Sequence, residues 1–217
     1  MSEESRVVVV TGAGGAGCGR AIARRFARHG AAVVVSDVDQ SGGQATVQHI
    51  EHDGGRAAFF QADVRSEQPV KELISFAETM FGGVNVLVNN ASISALWHGR
   101  KTPGGIPGYD VAKAGMIRMT TRLAFLAATD GIRVNCLAPG WIGTDAVRQY
   151  WEPLTPEERR ARNMPSRLLT TDQIVDVVVR LAEDRSLAGR ILVWWSEDEP
   201  RFIEWGDRGY RDLAEFV

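Results

Sequence analysis

Short apolar runs alternate with polar or amphipathic stretches through the first 90 or so residues of the chain. The runs are rich in β-branched residues and predict buried strands, while the stretches between them end at glycine and predict helices. The predicted strands cover residues 6–10, 32–36, 56–60 and 84–88, and the predicted helices cover residues 19–29, 41–52 and 67–81. Because the connections are short, this alternation predicts an α/β fold with a doubly wound parallel sheet.

The second half continues the alternation after an irregular, glycine-rich stretch at residues 92–108. Its predicted elements are a helix at 109–128, a strand at 132–137, a polar segment at 141–167, a helix at 171–184 and a strand at 190–195. We find no repeat and no low-complexity linker, so the pattern predicts a single domain over residues 1–217. Within it we expect 141–167 to form a substrate lid and 196–217 a C-terminal tail.

Composition and charge exclude several classes of function. The 217 residues carry 25 basic and 27 acidic side chains, with no basic block that would indicate nucleic acid as a partner. No apolar stretch approaches the roughly 20 residues of a membrane span, and the acidic first residues do not resemble a signal peptide. The two cysteines and four histidines show no metal-binding spacing. We therefore expect a cytoplasmic protein without metal, membrane or nucleic-acid partners.

A glycine-rich turn separates the first predicted strand from the first helix. Gly12, Gly14 and Gly17 have the spacing GxGxxG, and Gly19 follows at once. Glycine permits a tight turn and close approach of the backbone to a pyrophosphate, and the following helix presents free amides to it. The strand before the motif and the helix after it favour a dinucleotide site over an ordinary glycine-rich turn.

Asp37 lies 20 residues beyond Gly17, at the end of the second predicted strand. A carboxylate there accepts hydrogen bonds from the adenosine ribose hydroxyls and repels a 2′-phosphate, so NAD is favoured over NADP. The alternative is an ordinary acidic residue at the surface.

Tyr109 and Lys113 are four residues apart in a predicted helix and therefore share one face. A neighbouring ammonium stabilises the phenolate, which can exchange a proton with a substrate hydroxyl or carbonyl. The alternative is a pair with only a structural role.

Taken together, these segments resemble the short-chain dehydrogenase/reductase family along nearly the whole chain. The matching motifs are Thr11-Gly12 with Gly17-Cys18-Gly19-Arg20, Asp63-Val64, Asn89-Asn90-Ala91, Tyr109 with Lys113, and Pro139 to Thr144. The resemblance implies a Rossmann-type fold and hydride transfer between NAD and an alcohol or ketone. The implied cofactor contacts, beyond the glycines and Asp37, are Asp63, Val64, Asn90, Lys113, Pro139, Ile142 and Thr144. The glycine turn is one residue longer than the commonest family form.

The chain also departs from the family before the tyrosine. Tyr109 follows Asn90 by only 19 positions, whereas the family places several dozen residues there, including a helix with a catalytic Asn and a strand followed by a catalytic Ser. We therefore count six strands where the family has seven. We expect Ser92, or else Ser94, to take the role of the serine; the alternative is that both are loop hydroxyls. We assign no residue to the family's Asn, whose absence predicts slow turnover or none.

Three functions remain open at this point. The first is an NAD-dependent oxidoreductase, the second a dinucleotide-binding scaffold or regulator without redox activity, and the third a redox-neutral cyclase or dehydratase.

The aromatic residues of the second half have two predicted locations. Those of the lid either line a site for a ring-bearing substrate or pack the lid itself: Trp141, Tyr150 and Trp151. Those near the C-terminus are expected in the core or an interface: Trp194, Trp195, Phe202 and Trp205. The family resemblance implies a homodimer or homotetramer.

Overall fold

A computed structural model describes residues 6–92 and 107–204, which form two compact units. The first unit combines the N-terminal region with residues 144–148 and 170–179, and the second comprises the other described residues. Among the described residues, no helix is both long enough and apolar enough to span a membrane.

Four parallel strands form the sheet of the first unit, in the order β3-β2-β1-β4. The strands are β1 (Val7–Thr11), β2 (Ala32–Asp37), β3 (Arg56–Gln61) and β4 (Val86–Val88), and the helices that connect them are α1 (Cys18–Arg28), α2 (Gln40–His52) and α3 (Glu67–Phe81). The continuous valine runs of β1 and β2 are buried on both faces, as expected for central parallel strands. The predicted doubly wound sheet is thus confirmed.

Helix α3 supplies part of the core of this unit. Leu73 and Ala77 are fully buried and pack against Val9 and Val34 of the two central strands. Burial of a leucine side chain such as Leu73 contributes about 1.5–3 kcal/mol. The helix ends at Gly82, whose φ of +89° favours glycine over residues with a side chain.

The remaining elements follow β4 in the chain. They are α4 (Pro107–Arg122), a 3₁₀ turn (Leu123–Phe125), α5 (Leu126–Thr129), β5 (Cys136–Pro139), α6 (Asp145–Trp151), α7 (Pro156–Ala161), α8 (Thr171–Glu183), β6 (Ile191–Trp194) and β7 (Arg201–Phe202). The second unit contains a three-stranded sheet in the order β5-β6-β7, with β5 and β6 parallel. The helix predicted at 109–128 is therefore not continuous, since the 3₁₀ turn interrupts it.

The strand predicted at 132–137 begins later, at Cys136, because the side-chain oxygen of Asn135, rather than a backbone carbonyl, accepts the Arg190 amide at 3.1 Å. The side chains before Cys136 also donate to carbonyls near the end of α8. The Arg133 guanidinium donates to the carbonyls of Asp184, at 2.8 Å, and Leu187, at 3.1 Å. The Asn135 amide donates to the Leu187 carbonyl as well, at 3.0 Å. These side chains satisfy carbonyls in and just beyond the last turn of α8, which have no partner within the helix.

The prediction of six strands is wrong for the described residues, which contain seven. The additional strand, β7, pairs antiparallel with β6, and the Ile203 amide donates to the Ile191 carbonyl at 2.9 Å. The indole N–H of Trp194 donates to the Asp198 carbonyl at 3.0 Å, which holds the turn between the two strands. A strand of two residues is too short for its alternation to be recognised in the sequence.

Replacement of Arg133 by methionine is expected to lower the free energy of unfolding by about 1–3 kcal/mol, because carbonyls at the half-buried end of α8 lose their charged donor. Urea denaturation measures this change. Arg185→Met, at an exposed arginine just beyond α8, is the control and should change stability by less than about 0.5 kcal/mol. Equal effects of the two substitutions would contradict the assigned role of Arg133.

Candidate functional site

The glycine turn after β1 has the close packing that a pyrophosphate cradle requires. Gly12 has a φ of +67°, and a Cβ atom there would lie 2.7 Å from the Ala91 Cα. A Cβ atom at Gly19 would overlap the Gly12 carbonyl oxygen and would lie 2.6 Å from Nδ2 of Asn90. Both positions therefore require glycine on steric grounds.

Asn90 and Thr11 tie the carboxyl ends of β4 and β1 together beneath this turn. Nδ2 of Asn90 donates to the carbonyls of Thr11, at 3.0 Å, and Gly12, at 3.1 Å. The Thr11 hydroxyl oxygen accepts from the Asn90 amide at 3.2 Å and from the Ala91 amide at 3.1 Å. The predicted site residue Asn90 thus lies at the turn and shapes its backbone.

Asp37 lies at the carboxyl end of β2, against the same turn. Its Oδ2 accepts the Gly14 amide at 2.7 Å, and its Oδ1 accepts the Asp39 amide at 3.0 Å. A Cβ atom at Gly14 would lie 2.9 Å from the Asp37 Cγ. The carboxylate is therefore fixed in place, and each oxygen keeps a further lone pair for a ribose hydroxyl.

Two residues to which the sequence analysis assigned no role in the site hold the other side of the turn. Arg20 donates through Nε to the Thr46 hydroxyl at 2.9 Å and through its guanidinium to the Gly14 carbonyl. The fully buried Thr46 donates to the Ala13 carbonyl at 2.7 Å. No spacing rule links an arginine in α1 to a threonine in α2, so only the packing of the two helices shows this contact.

The N-terminus of α1 is free to bind an anion. Gly17 precedes the helix without any side-chain cap, and the first turn contains no acidic residue. The first-turn amides and the positive end of the helix dipole are therefore available to a pyrophosphate. The Thr144 methyl would lie 3.9 Å from a Cβ atom at Gly17, so the structure brings these two predicted site residues together. The geometry of the turn fits a dinucleotide.

Asp63 and Val64 follow β3 at the same edge of the sheet. The Arg65 guanidinium donates to the Asp63 carboxylate through Nε, at 2.9 Å from Oδ2, and the Arg65 amide donates to Oδ1 at 3.0 Å. These hydrogen bonds lower the pKa of Asp63 to about 2, so the carboxylate is ionised at neutral pH. Val64 is exposed and available to a ligand.

Helix α4 carries Tyr109 and Lys113 in the second unit. Nζ of Lys113 lies 5.3 Å from the centroid of the Tyr109 ring, within the range of a cation–π contact. Tyr109 is 39% exposed and Lys113 is half-buried. Ile117, one turn further along, packs against Ile191 and Val193 of β6 and anchors the helix to the sheet. The predicted pair is thus assembled with its tyrosine accessible to solvent.

Pro139 ends β5, and the segment that follows it closes on itself. Ile142 forms a β-bridge with Leu169, and the neighbouring Gly143 amide donates to the Leu169 carbonyl at 2.8 Å. The indole N–H of Trp151 donates to the Pro165 carbonyl at 3.0 Å.

The Arg159 guanidinium carbon lies 3.4 Å from the Trp151 ring centroid. These contacts favour the packing role for Trp151 over a role in lining the substrate site. Tyr150 is exposed and Trp141 is half-buried.

Ser92 is exposed in the first unit, beyond the end of β4, and its assignment as the catalytic serine stays a prediction. The alternative candidate, Ser94, lies outside the described residues, as does Trp205.

Sequence profiles of two families match the chain. The profile described as short chain dehydrogenase matches residues 6–102, and the profile described as enoyl-(acyl carrier protein) reductase matches residues 96–192.

Individual proteins match over most of their length. The 3beta-hydroxysteroid dehydrogenase 1 of Eggerthella lenta is 34% identical, over 92% of this chain and 90% of the relative. The cis-4-hydroxycyclohexanecarboxylate dehydrogenase of Sinomonas cyclohexanicum is 30% identical, over 86% of this chain and 94% of the relative. The crystal structure of a hydroxysteroid dehydrogenase from Escherichia coli is similar with a TM-score of 0.73 and 26% identity, covering 92% of this chain and all of that one.

Proposed function

The chain belongs to the short-chain dehydrogenase family, and on that premise we propose that it is an NAD-dependent oxidoreductase acting on an alcohol or ketone. The observation that carries the proposal is the pair on α4, with the Lys113 ammonium 5.3 Å from the ring centroid of an accessible tyrosine. Tyr109 is the acid/base residue and Lys113 stabilises its phenolate.

Bound nicotinamide supplies or accepts the hydride. In the oxidation direction, the Tyr109 phenolate takes the proton of the substrate hydroxyl, and the carbonyl forms as the carbon–hydrogen bond breaks. In the reduction direction, the phenol returns that proton to the developing alkoxide. Ser92 is the proposed donor to the carbonyl oxygen. No side chain is proposed for the family's catalytic Asn, so we expect slow turnover.

The lengths of the alignments support a shortened catalytic region. The alignment with the Eggerthella lenta enzyme extends over 249 positions but covers 92% of 217 residues, or about 200, which leaves about 50 positions without a residue in this chain. The alignment with the cyclohexanecarboxylate dehydrogenase leaves a similar number, since 86% of 217 residues is about 187 and the alignment extends over 237 positions. A loss of this size agrees with the missing helix and strand inferred ahead of Tyr109.

We further propose a ring-bearing alcohol or ketone as the substrate. The names of both relatives and of the similar crystal structure refer to steroid or cyclohexane compounds. Of the aromatic residues predicted to line the site, Tyr150, which is exposed, and Trp141, which is half-buried, are the candidates for contact with such a ring.

The preference for NAD over NADP is assigned to Asp37. A 2′-phosphate beside this fixed carboxylate would meet a repulsion of about 1–4 kcal/mol per unit charge at 4 Å, depending on the local dielectric constant. Asp39, whose amide donates to Asp37, adds a second negative charge at the start of α2.

Replacement of Asp37 by asparagine is expected to weaken NADH binding about tenfold and to tighten NADPH binding, because the side chain keeps an acceptor for Gly14 but loses its charge. Titration of each nucleotide against the fluorescence of the six tryptophans measures both constants. Glu51→Gln, an exposed acid near the other end of α2, is the control and should alter neither constant. An unchanged ratio of the two affinities in the Asp37 variant would remove Asp37 from cofactor selection.

The same titration on the parent protein tests the proposed function, followed by a screen of alcohols and ketones for NAD(H) turnover. Saturable NADH binding with turnover of an alcohol or ketone supports the oxidoreductase. Binding without turnover favours the scaffold or regulator. Absence of binding favours the redox-neutral enzyme, which the comparisons do not support.

A further inference from the structure

Two consecutive tryptophans at the carboxyl end of β6 have different surroundings. Trp194 is 8% exposed, and its indole N–H donates to the Asp198 carbonyl, so it belongs to the core. Trp195 is 44% exposed. All four residues of β6 are buried, whereas Trp195 is the first residue beyond the strand, which accounts for the difference. The core alternative of the sequence-based expectation therefore holds for Trp194 and not for Trp195.

Trp195 lies at the edge of the sheet where parallel α/β folds bind ligands. Strands β5 and β6 are parallel, so their carboxyl ends share one edge. The Gly140 amide, just beyond β5, donates to the Trp194 carbonyl at 2.7 Å. A Cβ atom at Gly140 would lie 3.3 Å from the Trp195 Cα. The indole thus projects from the first residue beyond β6, beside the end of β5.

The contacts of α4 show its direction relative to these strands. The side chain of Thr120, near the end of the helix, lies beside that of Cys136, the first residue of β5. Ile117, three residues earlier in the helix, packs against the buried cluster that Ile191 and Val193 of β6 form with Ile203, and α4 leads through residues 123–135 to the start of β5. The helix therefore runs opposite to the strands, and its N-terminal half approaches their carboxyl ends.

Trp195 lies toward the same edge as the catalytic pair, at about the height of Lys113. Lys113 precedes Ile117 by four residues, or about 6 Å of helix, and Tyr109 lies one turn further. Trp195 follows Val193 by two residues, or about 6–7 Å of strand. The same two-residue step places Trp195 on the face of β6 that α4 covers.

The backbone beyond Trp195 is held firmly. The hydroxyl oxygen of Ser196, which is 4% exposed, accepts the Trp141 amide at 3.0 Å. The Arg167 guanidinium donates to the Ser196 carbonyl at 2.5 Å. An aromatic side chain on a fixed backbone binds a ligand at a low cost in conformational entropy.

We propose that Trp195 determines substrate specificity by packing its indole face against the ring of the substrate while the substrate oxygen faces Tyr109. The proposal rests on the proposed function, which supplies the role of Tyr109. The preferred substrates are then ring-bearing ketones and secondary alcohols, because stacking of an aromatic face on a rigid ring of matching area contributes the most binding free energy. Trp195 is a specificity residue and exchanges no proton.

The test compares 2-tetralone, a fused-ring ketone, with 2-decanone, an acyclic ketone with the same number of carbon atoms. Trp195→Ala is expected to lower kcat/KM for 2-tetralone about tenfold, mainly through KM, and to change that for 2-decanone by less than about threefold. Trp195→Phe should retain most of the preference for 2-tetralone over 2-decanone. Equal losses for the two ketones, or none for 2-tetralone, overturn the proposal.

Phe125→Ala is the matched control, since this aromatic residue is 59% exposed but follows the other end of α4. It should leave the ratio of kcat/KM for 2-tetralone to kcat/KM for 2-decanone unchanged, and NADH affinity should be equal in all variants. If the parent reduces neither ketone, the screen of alcohols and ketones decides on the proposed function separately, and calorimetric titration with 2-tetralone decides on Trp195. Binding that weakens about tenfold in Trp195→Ala upholds the contact, whereas absent or unchanged binding overturns it.

Discussion

Replacement of Tyr109 by phenylalanine is expected to lower kcat by about 10²–10⁴-fold while NADH binding is retained, because the substitution removes only the hydroxyl that exchanges the proton. The ring stays, so the cation–π contact with Lys113, at 5.3 Å from the centroid, is preserved. Steady-state rates with an alcohol or ketone identified by the screen, and a parallel NADH titration, measure the two effects separately.

Tyr210→Phe makes the same chemical change elsewhere in the chain and serves as the control. A Tyr109 variant as active as the parent would remove Tyr109 from the mechanism. The variant also separates the three functions that the sequence leaves open. A scaffold shows no turnover before or after the change, and a redox-neutral enzyme loses a reaction that consumes no hydride. Only the oxidoreductase loses NAD(H) turnover.

The nucleotide half of the site could be predicted from the sequence because its signals are local. A valine run, a glycine turn and an amphipathic helix follow one another, and each constrains the backbone of the next. The position of Asp37 at the end of β2 follows from the length of this strand–helix–strand segment. The structure places its carboxylate 2.7 Å from the Gly14 amide, a contact that the spacing alone did not specify.

The contacts that support this turn could not be predicted because they join distant side chains. Arg20 and Thr46 lie 26 residues apart on two helices, and neither helix pattern distinguishes them from ordinary surface positions. Similarly, the late start of β5 follows from Asn135, whose side-chain oxygen accepts the amide of Arg190, 55 residues further along the chain. Tertiary hydrogen bonds of this kind override the local preference for a strand.

The tryptophans of β6 show a signal that was present in the sequence and not used. Trp194 ends β6 and is buried, whereas Trp195, the first residue beyond the strand, is 44% exposed. A continuous apolar run predicts a strand buried on both faces, and so it conceals an aromatic residue that emerges at the end of the strand. In parallel sheets that end is where ligands bind, so the last apolar residue of such a run is a candidate for substrate contact.

Replacement of Gly19 by alanine is expected to raise the Kd for NADH at least about 100-fold and to lower the melting temperature by several degrees. A Cβ atom at Gly19 would overlap the Gly12 carbonyl and would lie 2.6 Å from Nδ2 of Asn90. The Gly12 carbonyl belongs to the backbone, and the Asn90 side chain donates to two carbonyls of the turn. Neither group can therefore move away without opening the turn. The pyrophosphate cradle is lost even if the chain still folds.

Gly15→Ala is the matched control in the same turn, since no atom lies within 4 Å of a Cβ atom at Gly15. It should leave NADH affinity and melting temperature close to those of the parent. NADH titration and thermal denaturation of both variants measure the contrast. Equal behaviour of the two variants would show that the close packing of Gly19 against Gly12 does not govern the site, and dinucleotide binding would then have to depend on Asp37 and the helix terminus alone.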